Sequence, residues 1–216
     1  MADTGTIDSV SKLPGQRRTQ DERSEKMRAR LLDAAIKVLV KRGYSGFRIA
    51  EVATTAGVSR GALIHHYSTK ETLIAACLAH VFTNALENTR RRTAEVVEAD
   101  DILARASEDA QEFFFSDNFL VGFDIVRSGG KNVDFLETIR SISSSTRQPT
   151  EKLWVNSLAE SGLPRDQAET ILWILWSVIR GLMVRREIGR DPAREKKVLA
   201  VTLRLLRNFA AEIRSS

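Results

Sequence analysis

The residues best suited to recognise another molecule lie together in one segment, 59–67, whose sequence is SRGALIHHY. Arg60 carries a planar guanidinium that can donate two parallel hydrogen bonds to guanine, and Ala62 can contact a thymine methyl group. Gly61 has no side chain and so permits close approach of the backbone. Lys70 follows, where a helix N-terminus would favour contact with a phosphate. This combination is typical of a surface that contacts nucleic acid.

Two short helices joined by a glycine turn would position that segment. A helix is predicted near 48–55, and Gly57 ends it because glycine adopts the left-handed conformation without steric cost. Ser59 is a favourable N-cap for the next helix, about 60–66. The pair forms a helix-turn-helix, which presents the N-terminal residues of its second helix to the major groove.

Further helices flank this motif. Apolar residues recur with helical spacing over 23–42, which predicts a long first helix. Ser68 and Glu71 have the spacing of a capping box, which predicts that a fourth helix opens at Lys70. The remaining chain is also predicted to be helical. We expect one or two helices between 132 and 161, and single helices at 100–116, 165–188 and 193–213. Because no strand alternation or hairpin signal stands out, we predict an all-α fold.

The charge distribution supports a polyanionic partner at one end of the chain. The net charge is +5 and the isoelectric point about 9.6. Residues 1–70 contain 13 Lys and Arg against 7 Asp and Glu, whereas residues 71–216 contain 20 against 21. The basic excess therefore coincides with the helix-turn-helix.

The composition disfavours several other classes. The single Cys77 excludes a disulfide framework, and the three His residues all lie within 65–80, so no catalytic Ser/His/Asp or Cys/His set is apparent. His65 and His66 are adjacent and point about 100° apart on a helix, which disfavours a shared metal. We therefore expect no enzyme activity, cofactor or metal. The chain has neither an apolar signal-peptide core nor a run of about 20 apolar residues, so we expect a cytoplasmic protein with no membrane partner.

Residues 43–74 resemble the DNA-binding module of the TetR family of transcriptional regulators. The matching features are Val52-Ala53, Ala56-Gly57-Val58-Ser59, Gly61, Leu63, His66, Tyr67, and Lys70-Glu71 before Leu73. With the first helix, the resemblance covers about residues 23–80, and the remaining chain resembles the family only in length and helicity. It implies a homodimer with an N-terminal three-helix helix-turn-helix DNA-binding domain and a helical ligand-binding and dimerisation domain. We expect a disordered tail at 1–20, the DNA-binding domain at 21–68 and the helical effector-binding and dimerisation domain at 69–216.

The motif and the resemblance together predict a set of DNA-contacting residues. They are Arg48, Ser59, Arg60, Gly61, Ala62, Ile64, His65, His66 and Lys70. Three positions depart from the common family pattern, which often has Tyr at Ile64, Thr at Arg48 and a basic residue at Ala50. We therefore expect an operator sequence of its own.

The second part of the chain holds most of the aromatic residues, and some are expected to line an effector pocket. The predicted pocket residues are Phe114, Phe119, Phe123, Trp154 and Trp173. The last two predicted helices are apolar over more than one face, which favours a four-helix dimer interface over simple deep burial. The predicted interface residues are Leu172, Trp176, Ile179, Met183, Leu199, Leu203, Leu206 and Ala210.

The expected function is a sequence-specific, DNA-binding transcriptional regulator, most simply a repressor released from a palindromic operator by a small, largely apolar effector. The partners would be double-stranded operator DNA, a second copy of the chain and a hydrophobic or amphipathic small molecule. Three alternatives remain at this point: a regulator with no small-molecule effector, a helical enzyme using the C-terminal pocket, and a DNA-organising protein without sequence preference.

Overall fold

The computed structural model describes residues 20–95, 99–129 and 132–215, and this part of the chain contains helices and no strand, which confirms the all-α prediction. Residues 1–19, most of the predicted tail, lie outside the described residues. The helices, in chain order, are α1 (Gln20–Gly46), α2 (Ile49–Ala56), α3 (Arg60–His66), α4 (Lys70–Ala94), α5 (Ala99–Phe114), α6 (Asp117–Asp124), α7 (Val133–Glu160), α8 (Arg165–Ile188) and α9 (Pro192–Ser215).

The turn between α2 and α3 forms as its residue types require. Gly57 has φ 63° and ψ 42°, and its N–H donates to the carbonyls of Ala53 and Thr54 at the end of α2. The Ser59 side chain then caps α3 by accepting from the N–H of Ala62 at 3.1 Å. The predicted helix-turn-helix is thereby confirmed.

The start of α4 is capped differently from the prediction. The N-cap is Thr69, whose hydroxyl accepts from the N–H of Thr72 at 3.0 Å, while the Thr72 hydroxyl accepts from the N–H of Thr69 at 3.1 Å. The capping box predicted from Ser68 and Glu71 is therefore wrong. Because Lys70 is the first helical residue, the N-cap is Thr69 and the reciprocal hydrogen bonds join Thr69 and Thr72, each one position after the predicted residue.

The segment between α5 and α7 contains structure that the sequence pattern did not reveal. α6 spans eight residues and is capped by Ser116, whose hydroxyl accepts from the N–H of Phe119 at 3.2 Å. A π-helical turn, Ile125–Gly129, continues it. Two apolar clusters result. The first joins α1–α4 with α6, the π-turn and the start of α7, and the second joins α5, α7, α8 and α9. Since α4, α6 and α7 contribute to the first cluster, the division at 68/69 stays a prediction.

α8 has the length and hydropathy of a helix that crosses a membrane, unlike the sequence-based expectation of no such segment. It is the one helix of the described residues that passes this test, and core helices pass it too. One stripe of α8, which includes Ile171, Leu175 and Ile179, is fully buried in the second apolar cluster. Packing against α5, α7 and α9 accounts for the hydropathy of this stripe.

Candidate nucleic-acid interface and internal cavity

α3 offers an exposed face with a fixed position. Leu63 is 0% exposed and packs into the first apolar cluster, so it anchors the helix. On the opposite side Arg60, Gly61, Ile64 and His65 are exposed, as is the capping residue Ser59, while Ala62 and His66 are half-buried. Seven of the nine predicted DNA-contacting residues thus lie together on or beside one helix, in the geometry that a recognition helix needs.

Arg48 and Lys70 make contacts within the protein at the corner between α1 and α2. The Arg48 guanidinium donates to the carbonyls of Ser45 and Phe47 at 2.9 and 3.0 Å. The Lys70 ammonium donates to the carbonyl of Tyr44 at 2.9 Å and lies 4.6 Å from the centre of its ring. Burial lowers the pKa of Lys70, and Arg48 lowers it further. Both cations have a structural role here, and their predicted DNA contacts stay predictions.

The end of α3 carries a partly buried imidazole beside a further cation. Burial lowers the pKa of His66, and nearby His65 and Arg28 lower it further, so the neutral form is favoured at neutral pH. Arg28 belongs to α1 and is exposed, and the sequence analysis did not include it. Its signal was the basic first half of α1. In the described residues no group of three or more His, Cys, Asp or Glu side chains is arranged so that it could hold a metal ion.

A cavity of about 360 Å³ lies between helices α4–α8, in the second part of the chain. Its wall includes four of the five predicted pocket residues, Phe114, Phe119, Phe123 and Trp173. Phe114 and Phe119 meet edge to face with ring centres 4.9 Å apart. The cavity is therefore largely aromatic, as the cluster of Phe residues suggested.

Trp154, the fifth predicted pocket residue, does not line this cavity. It is 0% exposed, and its indole N–H donates to the carboxylate of Asp109 at 2.9 Å. The same carboxylate oxygen accepts from the Thr89 hydroxyl at 2.7 Å, and Arg92 lies 3.5 Å from the other oxygen. Burial raises the pKa of Asp109 against the opposing effect of these partners. The prediction that Trp154 lines the effector pocket is therefore wrong, because this buried hydrogen-bond network holds its indole in the core.

Sequence reasoning missed several wall residues. Phe82, Phe113, Arg147 and Arg180 line the cavity, and so does Trp176, which had been assigned to the dimer interface. The two arginines had no sequence signal, because α7 and α8 contain many charged residues and only packing shows which of them turn inward.

The predicted interface stripe on α8 and α9 lies mostly inside the protomer. Of the eight residues, Leu203 is half-buried and the others are at most 9% exposed. Buried residues cannot supply the accessible surface that a dimer covers, so this assignment needs correction. Apart from the cavity-wall residue Trp173, the exposed large apolar residues of these helices lie on neighbouring stripes: Ile174, Val184, Ile188, Val201, Leu205 and Phe209.

The cavity wall is tied to the first three helices through the end of α6. Asp124 directly follows the wall residue Phe123, and its carboxylate accepts from the backbone N–H of Tyr44 at 2.6 Å. Gly43, with φ 65°, provides the turn there, and a Cβ atom at Gly43 would lie 3.0 Å from that carboxylate. A shift of α6 would therefore move or break this hydrogen bond to Tyr44 near the end of α1.

Comparison with known proteins agrees with this architecture. Residues 31–77 match the model of a family described as bacterial regulatory proteins, tetR family. The HTH-type transcriptional regulator CymR of Pseudomonas putida is 37% identical over 199 residues, covering 92% of this chain and 98% of CymR.

Two solved structures share the fold at low sequence identity. A TetR-family regulator from Mesorhizobium loti superposes with a TM-score of 0.67 at 17% identity, covering 85% of this chain and 96% of that one. A transcriptional regulator from Saccharomonospora viridis in complex with choline gives 0.66 at 19%, covering 86% and 95%. Together with the similarity to CymR over almost the whole chain, these matches establish that this protein belongs to the TetR family of transcriptional regulators.

Proposed function

We propose that this regulator is a cytoplasmic homodimeric repressor, which reads a palindromic operator with two α3 helices and leaves it when a small, largely apolar effector enters the cavity. The exposed face of α3 carries the proposal. An anchored Leu63 fixes the helix while Arg60 stays exposed without an ion pair in the described part of the chain. A bidentate contact from Arg60 to guanine would supply sequence preference.

The exposed stripes on α8 and α9 support dimerisation. Gly181 lies between Ile174 and Ile188 in α8, and nothing lies within 4 Å of the position that a Cβ atom would take there. Glycine within a helix costs about 1 kcal/mol relative to alanine, and no contact inside the protomer explains it. A helix of the partner subunit packed closely against Gly181 would account for a glycine at this position, because a larger side chain would prevent the close approach.

The cavity supports an effector rather than regulation without one. Its volume of about 360 Å³ falls in the range of small-molecule sites, and its wall is mainly aromatic. The Asp124 contact with Tyr44 links that wall to the DNA-binding helices. Release then requires an effector that binds more tightly to the dimer geometry with low operator affinity.

Fluorescence anisotropy with labelled DNA from upstream of the gene, against scrambled DNA at near-physiological salt, tests the proposal. We expect tight binding to the upstream fragment alone. Arg60→Ala should weaken specific binding about 10- to 100-fold and change non-specific binding much less. Arg190→Ala, which removes the same charge from the α8–α9 connection, is the matched control. If Arg60→Ala keeps the full preference for the operator, the role assigned to Arg60 is wrong.

A further inference from the structure

The cavity contains an arginine that forms no ion pair within 4 Å in the described part of the chain. Arg180 lines the wall, and its guanidinium carbon lies 5.5 Å from the ring centres of both Phe114 and Trp173. Its one hydrogen bond among the described residues runs from Nε to the carbonyl of Trp176, one turn earlier in α8, at 3.2 Å. Burial lowers the pKa of Arg180 and nearby Arg147 lowers it further, while the more distant carboxylate of Glu151 acts in the opposite direction. The outer nitrogens of this guanidinium therefore lack a protein acceptor.

The acidic side chains nearby are already engaged. Asp109 is the one carboxylate among the residues of the cavity wall, and its oxygens face Thr89, Trp154 and Arg92. Glu151 accepts from the indole N–H of Trp173 at 2.8 Å and lies 3.5 Å from Arg147. Among the described wall residues, Arg180 is therefore the charged side chain without an ion pair, and Glu151 influences it only from beyond 4 Å.

A second polar group of the wall also lacks a partner. The indole N–H of Trp176 is buried, and no acceptor lies within hydrogen-bonding distance of it in the described residues. A buried donor without an acceptor is unfavourable. Trp176 and Arg180 are neighbours on one face of α8, because residues four apart lie one above the other on a helix. Both residues therefore contribute to the face of α8 that meets the cavity.

We propose that the effector is a small apolar molecule with one carboxylate, which pairs with the guanidinium of Arg180 while the aromatic wall holds its hydrocarbon part. Guanidinium and carboxylate match in geometry, and this pairing is stronger in a site shielded from water. This inference rests on the proposed role of the cavity as the effector site.

The dimensions of the cavity limit the size of the molecule. Its volume of about 360 Å³ is roughly twelve times the share of one water molecule in the liquid, about 30 Å³. We therefore expect on the order of ten to fifteen non-hydrogen atoms, the size of a phenylalkanoate. A quaternary ammonium such as the choline in the Saccharomonospora viridis regulator would meet the unpaired Arg180 here, and charge repulsion would oppose its binding.

A panel of matched ligands tests the proposal on the full-length protein. It contains benzoate, phenylalkanoates and cyclohexylalkanoates of graded length, each with its primary amide and its trimethylammonium analogue. Binding is measured by isothermal titration calorimetry. We expect at least one acid to bind 10-fold or more tightly than its amide and its ammonium analogue. The proposal is overturned if no acid in the panel binds more tightly than its amide.

Variants then assign the preference to a residue. Arg180→Met should reduce the affinity for the acid about 10- to 100-fold and change that for the amide little, as expected for loss of a charge-assisted bond. Arg140→Met is the matched control, because that arginine of α7 is exposed and does not line the cavity. Should Arg180→Met fail to fold, Arg180→Lys retains the charge without the bidentate geometry and should still lower the preference at least 3-fold. An acid preference that Arg180→Lys leaves unchanged contradicts the assignment, as does an equal loss in Arg140→Met.

Operator binding of the same samples, measured by anisotropy, distinguishes a failure of the carboxylate inference from a failure of the proposed repressor function. If amides or ammonium analogues release the operator and acids do not, the effector role stands and the carboxylate inference fails. If the protein binds no upstream DNA selectively, the proposed repressor function fails, whatever ligand the cavity prefers.

Discussion

A charge placed in the exposed stripe of α9 should separate the proposed dimer. Leu205 is 60% exposed in the protomer. Full burial of a leucine side chain contributes about 1.5–3 kcal/mol, so covering the exposed fraction contributes about 1–2 kcal/mol. A two-fold axis counts this contribution twice, which gives about 2–4 kcal/mol for the dimer. Leu205→Glu should therefore raise the dimer dissociation constant about 30- to 700-fold, before the added desolvation of the carboxylates.

Sedimentation equilibrium over a concentration series measures this dissociation constant directly. Val133→Glu is the matched control, because Val133 is also apolar and is 71% exposed, but lies at the start of α7. We expect it to change the constant less than 2-fold. Circular dichroism should show an unchanged helix content for both variants, since neither side chain is part of the core.

The outcome has a clear consequence for the position of the interface. If Leu205→Glu and Ile174→Glu both dimerise as tightly as the unmodified protein, the exposed stripes of α8 and α9 are not the interface. If the dimer dissociates, operator affinity should fall with it, because one protomer reads only half of a palindromic site.

Two further predictions concern the polar contacts inside the protein. Because burial raises the pKa of Asp109 above its ordinary 3.8, the stability that this group contributes is complete below that pH and is lost as pH rises through the raised value. In urea unfolding, the stability of the unmodified protein relative to Asp109→Asn should therefore increase as pH falls from 7 towards 4, by at most about 1.4 kcal/mol per pH unit; a flat difference would contradict the raised pKa. Asp124→Asn weakens a charge-assisted bond to Tyr44 by about 1 kcal/mol, so the effector-induced drop in operator affinity should shrink about 5-fold. Asp117→Asn on the same helix is the control, and an undiminished drop in Asp124→Asn would show that the contact carries no coupling.

Local sequence signals were sufficient wherever a structure depends on neighbouring residues. Gly57 and Ser59 define the turn between α2 and α3, because a left-handed residue and a side-chain cap act within a few positions of the chain. The same locality explains the recognition of the TetR motif. The capping pair at α4 was assigned one position too early, because Ser68 and Thr69 are both suitable caps and packing selects between them. α6 escaped notice because eight residues are too few to display a clear apolar period.

The internal surfaces depended on contacts between residues that are far apart in the chain. Trp154 and Trp173 were both predicted to line the pocket. Asp109, 45 residues away from Trp154, binds the indole of Trp154 in the core, while Trp173 lines the cavity. On α8 and α9 the sequence pattern showed that more than one face is apolar. It did not show which of these faces packs into the core of the protomer. The sequence also could not show that Arg180 lacks an ion pair, because pairing depends on which acidic side chains the fold brings near the guanidinium. Sequence alone thus determined the longer helices, the helix-turn-helix motif and the family, because these follow from short-range geometry. Only the tertiary structure decided the cavity wall, its unpaired cation and the exposed stripe, because burial and charge pairing are properties of the packed chain.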